Sequence, residues 1–446
     1  MSNFSRIVCL LLLQICLIVN SGAGFSQTDG DPGSQDLDVV QVDFFAPADG
    51  GEDVGYRKST YEELGVWGDK QILDTPYSMF VISEKLIENT QARNPEQVFK
   101  MNPLTMSSVF DINMISNITT RGFGSSHMLI NGIPSDSLAL GVFLEDVSSV
   151  EIMSGLNGFL YGAGNVGGVL NYVLKRPTQE TLRKISLGNY GGQQYYGHAD
   201  FGGKIDKDGK FAYRFNVFKQ GGETNIENQE LDRFLISGAL DIKPNDDLLI
   251  QLNGSYGQYH LNGRQTQFWT GDVGLPFIPE PMDGSKLWGP DDTFNDVDSL
   301  NLGVGIKYKI NDMFKLRMAF NHRKDSRKML YTTASSFVNN NTEYQFSIMA
   351  ENAVRTSEGG YFYIDSEFPT GPVSHNVTLG FNGYKQTTKN SVFDTPTGRT
   401  NWPSTAAYQF SIHDYNASNL KAFNWYQYES GKKKSNVSSN LNFLLA

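Results

Sequence analysis

The sequence predicts a mixed α/β domain followed by an antiparallel transmembrane β-barrel, and three observations carry that prediction. Apolar and polar residues alternate with period two through much of the second half of the chain. The links between those runs alternate between short and long. An export-type N-terminus is followed by no apolar run long enough for a spanning helix.

Composition supports this reading. Of 446 residues only 39% are hydrophobic, yet 12% are aromatic and 45 are glycine, a mixture suited to strands with one lipid wall and one wet wall. The formal net charge of −11 excludes nucleic acid as a partner, because phosphate binding needs clustered Lys and Arg.

At the N-terminus, Arg6 precedes an apolar run from Ile7 to Val19 broken only by Gln14, and the small residues Ser21, Gly22 and Ala23 follow. Residues 1–23 read as a cleaved signal peptide. Cys9 and Cys16 both lie inside it, and Leu13-Gln-Ile-Cys16 lacks the small residues of a lipoprotein site, so no thiol is expected in the exported chain. Residues 24–65 are rich in Gly, Asp and Ser, with one apolar patch from Leu37 to Phe45, and predict a flexible periplasmic segment.

Residues 66–177 have the mixed pattern of a small globular domain. Pro95, Glu96, Val98, Phe99 and Met101 fit a short helix capped by Asn94. The texture changes over 178–446. Leu300, Leu302, Val304, Ile306, Tyr308 and Ile310 alternate with Asn301, Gly303, Gly305, Lys307 and Lys309. After the turn Asn311-Asp312, the residues Phe314, Leu316, Met318 and Phe320 repeat the pattern. Short turns at 206–209, 244–247, 311–312, 369–374 and 431–434 alternate with long links at 220–230, 261–299, 324–358 and 387–418. Loop lengths segregated to two rims distinguish a membrane barrel from a soluble sandwich. About eleven strands are expected. A barrel left open exposes two unpaired edges in lipid, at a cost on the order of tens of kcal/mol, so the chain is expected to be truncated.

Several stretches of the first domain resemble one family. Asp74-Thr75-Pro76, Ser78 to Val81 and Leu86-Ile87 come first. Thr120-Arg121-Gly122-Phe123 and Leu129-Ile-Asn131-Gly132-Ile-Pro134 follow, then Val150-Glu151-Ile152-Met153. The run closes with Leu160-Tyr161-Gly162, Gly167-Gly168-Val-Leu-Asn171 and Lys175-Arg176-Pro177. In order and spacing these resemble the plug of TonB-dependent outer-membrane receptors, and the closing run with Thr370 to His375 is most similar to ferric-siderophore receptors. The resemblance covers the plug by motif and the barrel only by texture.

The resemblance implies a plug inside a barrel of about 22 strands, of which this chain holds about half. It implies a Gram-negative outer-membrane location, with lipid around the barrel. It also implies uptake of a ferric siderophore, energised by TonB of the inner-membrane complex, with neither catalytic residues nor cofactor. The TonB box is assigned to Asp38, Val39, Val40, Gln41 and Val42, an extended β-branched stretch able to add to a partner's sheet edge. Arg121 is the expected plug–barrel lock, facing barrel glutamates. The family's second plug arginine is replaced by Ser154, and Leu156 stands where proline is usual. Plug-apex candidates for substrate contact are Phe110, Asn113, Met114, Ser135 and Leu138, and Phe268, Trp269, Trp288 and Tyr331 are candidates for stacking on an aromatic chelator. A vitamin, heme, copper or glycan receptor is the alternative within the family, and a non-transporting surface β-barrel or adhesin the alternative outside it.

Other chemistries fit the residues less well. Gly162-Ala-Gly164-Asn-Val-Gly167 matches a dinucleotide fingerprint, but Gly168 to Leu174 read as a strand where phosphate binding needs a helix. The six histidines (127, 198, 260, 322, 375, 413) have no ligand spacing, so no metal site is expected.

Overall fold

The structure is a computed structural model and describes residues 50–63, 65–107, 118–125, 128–135, 142–155, 158–161, 166–268, 283–338, 343–392, 407–411 and 432–445. The signal peptide, Asp38 to Val42, Phe110, Asn113, Met114, Leu138, Leu156, Gly162 and Trp269 lie outside the described residues. The chain divides into two compact units, Met1–Phe44 and Phe45–Ala446, and the described residues all belong to the second.

The plug begins with a two-stranded hairpin, β1 (Thr60–Tyr61) and β2 (Lys70–Gln71). Next come β3 (Ser78–Ser83), α1 (Glu84–Asn89) and α2 (Pro95–Phe99). Both helices start as their residues dictate. The Ser83 hydroxyl accepts from the Leu86 amide at 3.3 Å, and Asn94 Oδ1 accepts from the Gln97 amide at 3.1 Å. Strands β4 (Thr105–Ser107), β5 (Ile118–Thr120) and β6 (Phe123–Ser125) form a three-stranded sheet. The central sheet holds β3, β7 (Met128–Ile130), β8 (Ile133–Pro134), β9 (Val147–Ser154) and β10 (Gly168–Leu174) in the order β3-β9-β10-β7-β8. A short helix, α3 (Gly158–Tyr161), precedes β10.

Both faces of β9 and β10 are buried. Ile82, Val150, Ile152, Leu170 and Tyr172 pack with Val98 and Phe99 of α2 in one core. Val81, Met153 and Val169 join Tyr61, Val66 and Leu160 in a second core, which includes Tyr361 and Tyr363 of the barrel wall. This two-sided burial corrects the expectation for 24–65. Tyr61 is fully buried and the Ser83 hydroxyl donates to the Gly50 carbonyl, so 50–63 belong to the packed plug despite their polar composition.

The wall is a twelve-stranded sheet. Its strands are β11 (Leu182–Asn189), β12 (Tyr195–Lys204), β13 (Phe211–Gly221), β14 (Glu230–Asn245), β15 (Leu248–Asn262), β16 (Gln267–Phe268), β17 (Phe294–Lys309), β18 (Phe314–Val338), β19 (Glu343–Thr370), β20 (Val373–Val392), β21 (Ala407–Ser411) and β22 (Lys432–Leu445). Ten of them pair antiparallel in chain order from β11 to β22, while β16 adds to β18 and β21 to β19. The expected alternation holds. Leu252, Leu302 and Leu379 point outward and are exposed, whereas Asn216, Asn301, Asn321 and Asn382 on the other parity are buried.

Two connections differ from expectation. Most of 324–358 is strand, because β18 and β19 pair from Phe314↔Ser366 out to Val338↔Glu343. At 28 residues β19 is roughly 90 Å long, far more than a bilayer core of ~30 Å. Similarly, Lys432 pairs with Val392, so 432–434 belong to β22 rather than to a short turn.

Val304 and Met318 sit on the outward face. Val304→Asp or Met318→Asp is expected to block insertion into bilayers, read as loss of the heat-modifiable gel shift, since a charge on the lipid face costs about 2–4 kcal/mol. Asn321, which donates to Asn301 Oδ1 at 2.9 Å on the inner face, is expected to tolerate Asp because the Asn301 amide can turn to donate instead.

Candidate functional site: the plug–wall interface

Three groups of polar contacts hold the plug against the inner wall. Inward-facing wall residues touch the plug through charge, with plug acids on wall bases in some pairs and plug bases on wall acids in others.

The first group grips the chain that enters the plug. Lys307 of β17 pairs with Glu63 at 2.9 Å and with Asp69 at 3.3 Å. Tyr361 of β19 donates to Glu63 at 2.8 Å. Arg317 of β18 donates to the Val66 carbonyl at 2.8 Å, is held by Asp365 at 2.6 Å and lies 5.1 Å from the Tyr363 ring centre. Period two explains the convergence: Lys307, Arg317, Tyr361 and Tyr363 all occupy inward positions.

The second group is a four-member network where α1 begins. Glu84 pairs with Lys175 at 3.0 Å and with Arg214 of β13 at 2.7 Å, and Asp200 of β12 pairs with the same two cations at 2.9 and 2.7 Å. Lys175, Asp200 and Arg214 are almost fully buried. Next to it Arg176 pairs with Asp241 of β14.

The third group seats the turn before β9. Glu145 pairs with Arg233 of β14 at 2.9 Å, and the Arg233 guanidinium lies between the Phe143 and Phe218 rings, 5.1 and 4.9 Å from their centres. Gly257 of β15 makes room for this: any Cβ there would collide with the Phe143 ring. Beside Glu145, burial pushes the Asp146 carboxyl up to about 7, although the Ser237 and Ser255 hydroxyls and the Lys175 charge favour its ionised form.

A fourth set of bonds lies inside the plug and uses the motif residues. The Asn131 side chain accepts from the Leu174 amide at 2.8 Å, and Asn171 accepts from the Gly132 amide at 2.9 Å. Asn171 also donates to Glu151 at 2.7 Å, and Glu151 accepts from the Glu62 amide at 2.9 Å. Burial, with Glu62 nearby, raises the Glu151 carboxyl well above its ordinary value. Gly132 has φ +73°, and a Cβ there would lie 2.5 Å from the Glu63 carbonyl, so the glycine is what lets the entering chain approach. Gly167 approaches Phe123 closely and Gly168 approaches Met153. Tyr161 is buried in the second core. The strand Gly168–Leu174 excludes the dinucleotide reading of the preceding glycines.

Two expected sites change. Arg121 occupies an exposed turn with Gly122 between β5 and β6, at φ +53°, and forms no ion pair among the described residues. The ion pairs described between plug and wall join Glu63, Glu84 and Glu145 of the plug to Lys307, Arg214 and Arg233 of the wall, and Lys175 and Arg176 of the plug to Asp200 and Asp241 of the wall. Ser154, where a second plug arginine was anticipated, is buried in β9 opposite Gly168. Ser135 is fully buried rather than at an accessible apex. Among the described residues no three His, Cys, Asp or Glu side chains converge on a metal position. Sequence reading missed Glu63, Glu84 and Glu145 because each sits in a turn or at a helix start. The wall bases were detectable as lone cations at inward positions, such as Lys307 between Ile306 and Tyr308.

Comparison with known proteins agrees with this architecture. Residues 71–169 match the family described as the TonB-dependent receptor plug domain. A ferrichrome receptor of Yersinia enterocolitica is 25% identical over 346 residues, covering 74% of this chain and 44% of that protein. The ferric preacinetobactin receptor of Acinetobacter baumannii superposes with a TM-score of 0.75 at 20% identity, covering 87% of this chain and 57% of the other. The ferripyoverdine receptor of the Pseudomonas aeruginosa outer membrane gives a TM-score of 0.69 at 15% identity, covering 86% and 51%. This chain spans about half the length of these relatives.

Removing one member of the buried network, as in Glu84→Ala or Arg214→Ala, is expected to cost about 3–5 kcal/mol by leaving a buried charge alone, measured as a lower denaturation midpoint. Arg121→Ala is expected to leave the midpoint within about 0.5 kcal/mol. Asp146 adds a pH dependence. Folding retains a proton that the unfolded chain loses near 3.8, so its stabilising effect is full below that value and disappears as pH rises to about 7. Asp146→Asn is expected to flatten this decline in a series of unfolding curves from pH 4 to 8.

Proposed function

We propose that this chain, a TonB-dependent receptor plug followed by part of the barrel that surrounds it, serves an outer-membrane receptor that takes up ferric siderophores under TonB control. The observation that carries the proposal is the plug–wall interface. A plug meant to stay would be expected to meet its wall through a continuous apolar core. Here much of the contact is ion pairs and hydrogen bonds, which exchange for water when the surfaces part. A charged grip on the entering chain, Glu63 and Asp69 on Lys307, lies in the first part of the packed plug, on the C-terminal side of the proposed box.

In this reading the signal peptide at 1–23 directs export, and outward residues such as Leu252 and Leu302 meet lipid. The box at Asp38 to Val42 adds as an edge strand to TonB. Tension on that box is delivered first to the β1–β2 region. Breaking the Lys307 and Arg317 contacts frees it from the wall, while Phe143 and Glu145 hold the turn before β9. Cargo then passes where the plug has withdrawn. Binding and conformational work suffice for this function, and no catalytic step enters. The siderophore assignment draws on the relatives, which are named for ferrichrome, preacinetobactin and pyoverdine complexes.

Cells producing the protein under iron limitation should accumulate radioactive iron from a ferric siderophore. Deletion of 38–42 should abolish accumulation while surface binding persists, and a peptide spanning 36–44 should bind the TonB C-terminal domain. Accumulation unaffected by the deletion would exclude the TonB-driven mechanism; accumulation of cobalamin or heme in place of ferric chelates would move the cargo to another nutrient.

A further inference from the structure

We propose that Asp146 and one water molecule in the cavity against it form a proton-operated catch between plug and wall. The role given to the catch rests on the proposed function, in which the plug parts from the wall. Asp146 ends the turn that Phe143 and Glu145 anchor, and its carbonyl accepts from the Lys175 amide at 2.9 Å. It lines a cavity of about 20 Å³ shared by plug and wall. Ser255 of β15, Ser299 and Asn301 of β17 and Arg323 of β18 line the wall side. A space of that size holds one water and no more. Asn301 is 5% exposed, and its Nδ2 is buried without a hydrogen-bond partner. A water in the cavity accepts from that amide and donates to Asp146, with Ser255 as a third partner.

The charges around the cavity decide which form of Asp146 the closed seat takes. Glu84 and Asp200 pair with Lys175 and Arg214, Glu145 with Arg233, and Asp325 with Arg323. Each of these bases thus already faces an acid, whereas Asp146 makes no ion pair among the described residues. A buried carboxylate in excess of the surrounding bases is unfavourable, and taking up a proton removes the excess. The Ser237 and Ser255 hydroxyls suit either form, because a hydroxyl turns to donate to the carboxylate or to accept from the acid. His198 of β12, hydrogen-bonded to Asn216 at 3.2 Å, is a second titratable side chain in this seam.

Burial pushes the Asp146 carboxyl up to about 7. When the seam parts, water reaches the group and its ordinary value of 3.8 returns. Closing therefore takes up a proton between those two values. The preference for the closed seat is full below 3.8 and is lost as pH rises to about 7. Once ionised, the carboxylate needs more water than the cavity admits, and that water enters only if the turn leaves the wall. The plug thus yields to a pull more readily at neutral pH than in acid.

Hydrogen exchange read by mass spectrometry tests the catch on the purified full chain in detergent, without TonB or chelate, over about pH 5 to 8.5. After correction for the intrinsic rate, opening of the 142–147 amides is expected to rise about tenfold per pH unit up to ~6.5 and to level off above about 7.5. Asp146→Asn should remove the rise. Ser255→Ala, which deletes a hydroxyl that favours the ionised form, should move the levelling-off to higher pH, and it serves where Asp146→Asn does not fold. His198→Gln should leave the curve as it is. A flat wild-type curve, a Ser255→Ala curve without the upward shift, or a rise that persists in Asp146→Asn or disappears in His198→Gln overturns the inference. In cells, the ratio of wild-type to Asp146→Asn uptake of a ferric siderophore should be higher at pH 8 than at pH 6. A chain that exchanges as expected but takes up no chelate overturns the parent proposal and leaves the catch standing.

Discussion

A sheet with one apolar and one polar face has to solve the polar face, and in this protein the plug solves it. The inner wall carries Arg214, Arg233, Lys307 and Arg317, none of which is stable as an isolated charge away from bulk water. Glu84, Glu145, Glu63 and the Val66 carbonyl of the plug meet them one by one. Plug and wall thus depend on each other, with Asp200 and Asp365 of the wall sharing Arg214 and Arg317 with the plug.

That dependence sets the character of the interface. A buried ion pair stabilises weakly in net terms, since desolvation offsets most of the attraction, but losing one partner is costly. The result is a contact that is specific in register without being strongly cohesive. Apolar cohesion is confined to places where geometry adds it, as at Phe143 over Gly257 and in the core shared by Met153, Leu160, Tyr361 and Tyr363. A plug of this kind can be fixed in position and still be displaced in parts.

The acids that meet the wall bases are placed by ordinary rules: Glu84 opens a helix, where negative charge is favoured, and Glu145 lies in the turn before β9. Arg121 lies instead in the exposed turn between β5 and β6, with Gly122 also at positive φ. Motif resemblance did not point to the pairing positions. The same applies to Ser135, an expected surface contact that the β7–β8 hairpin buries.

Much of the fold was legible without coordinates. Alternation named the lipid wall and the inner wall residue by residue, because side chains in a strand switch faces at every step. Asn94 and Pro95 marked α2, and the apolar run after Gly167 marked β10, because caps, proline and period are local properties. The outer halves of β18 and β19 were not legible, since their polar composition resembles that of a loop. Nor was the packing of 50–63, which depends on Tyr61 finding a core built from residues a hundred positions away. Which charges meet was decided only by tertiary structure. The sequence determined that Lys307 and Arg214 face inward; the folded plug determined that Glu63 and Glu84 would be there to receive them, because pairing depends on register across elements that no local pattern encodes.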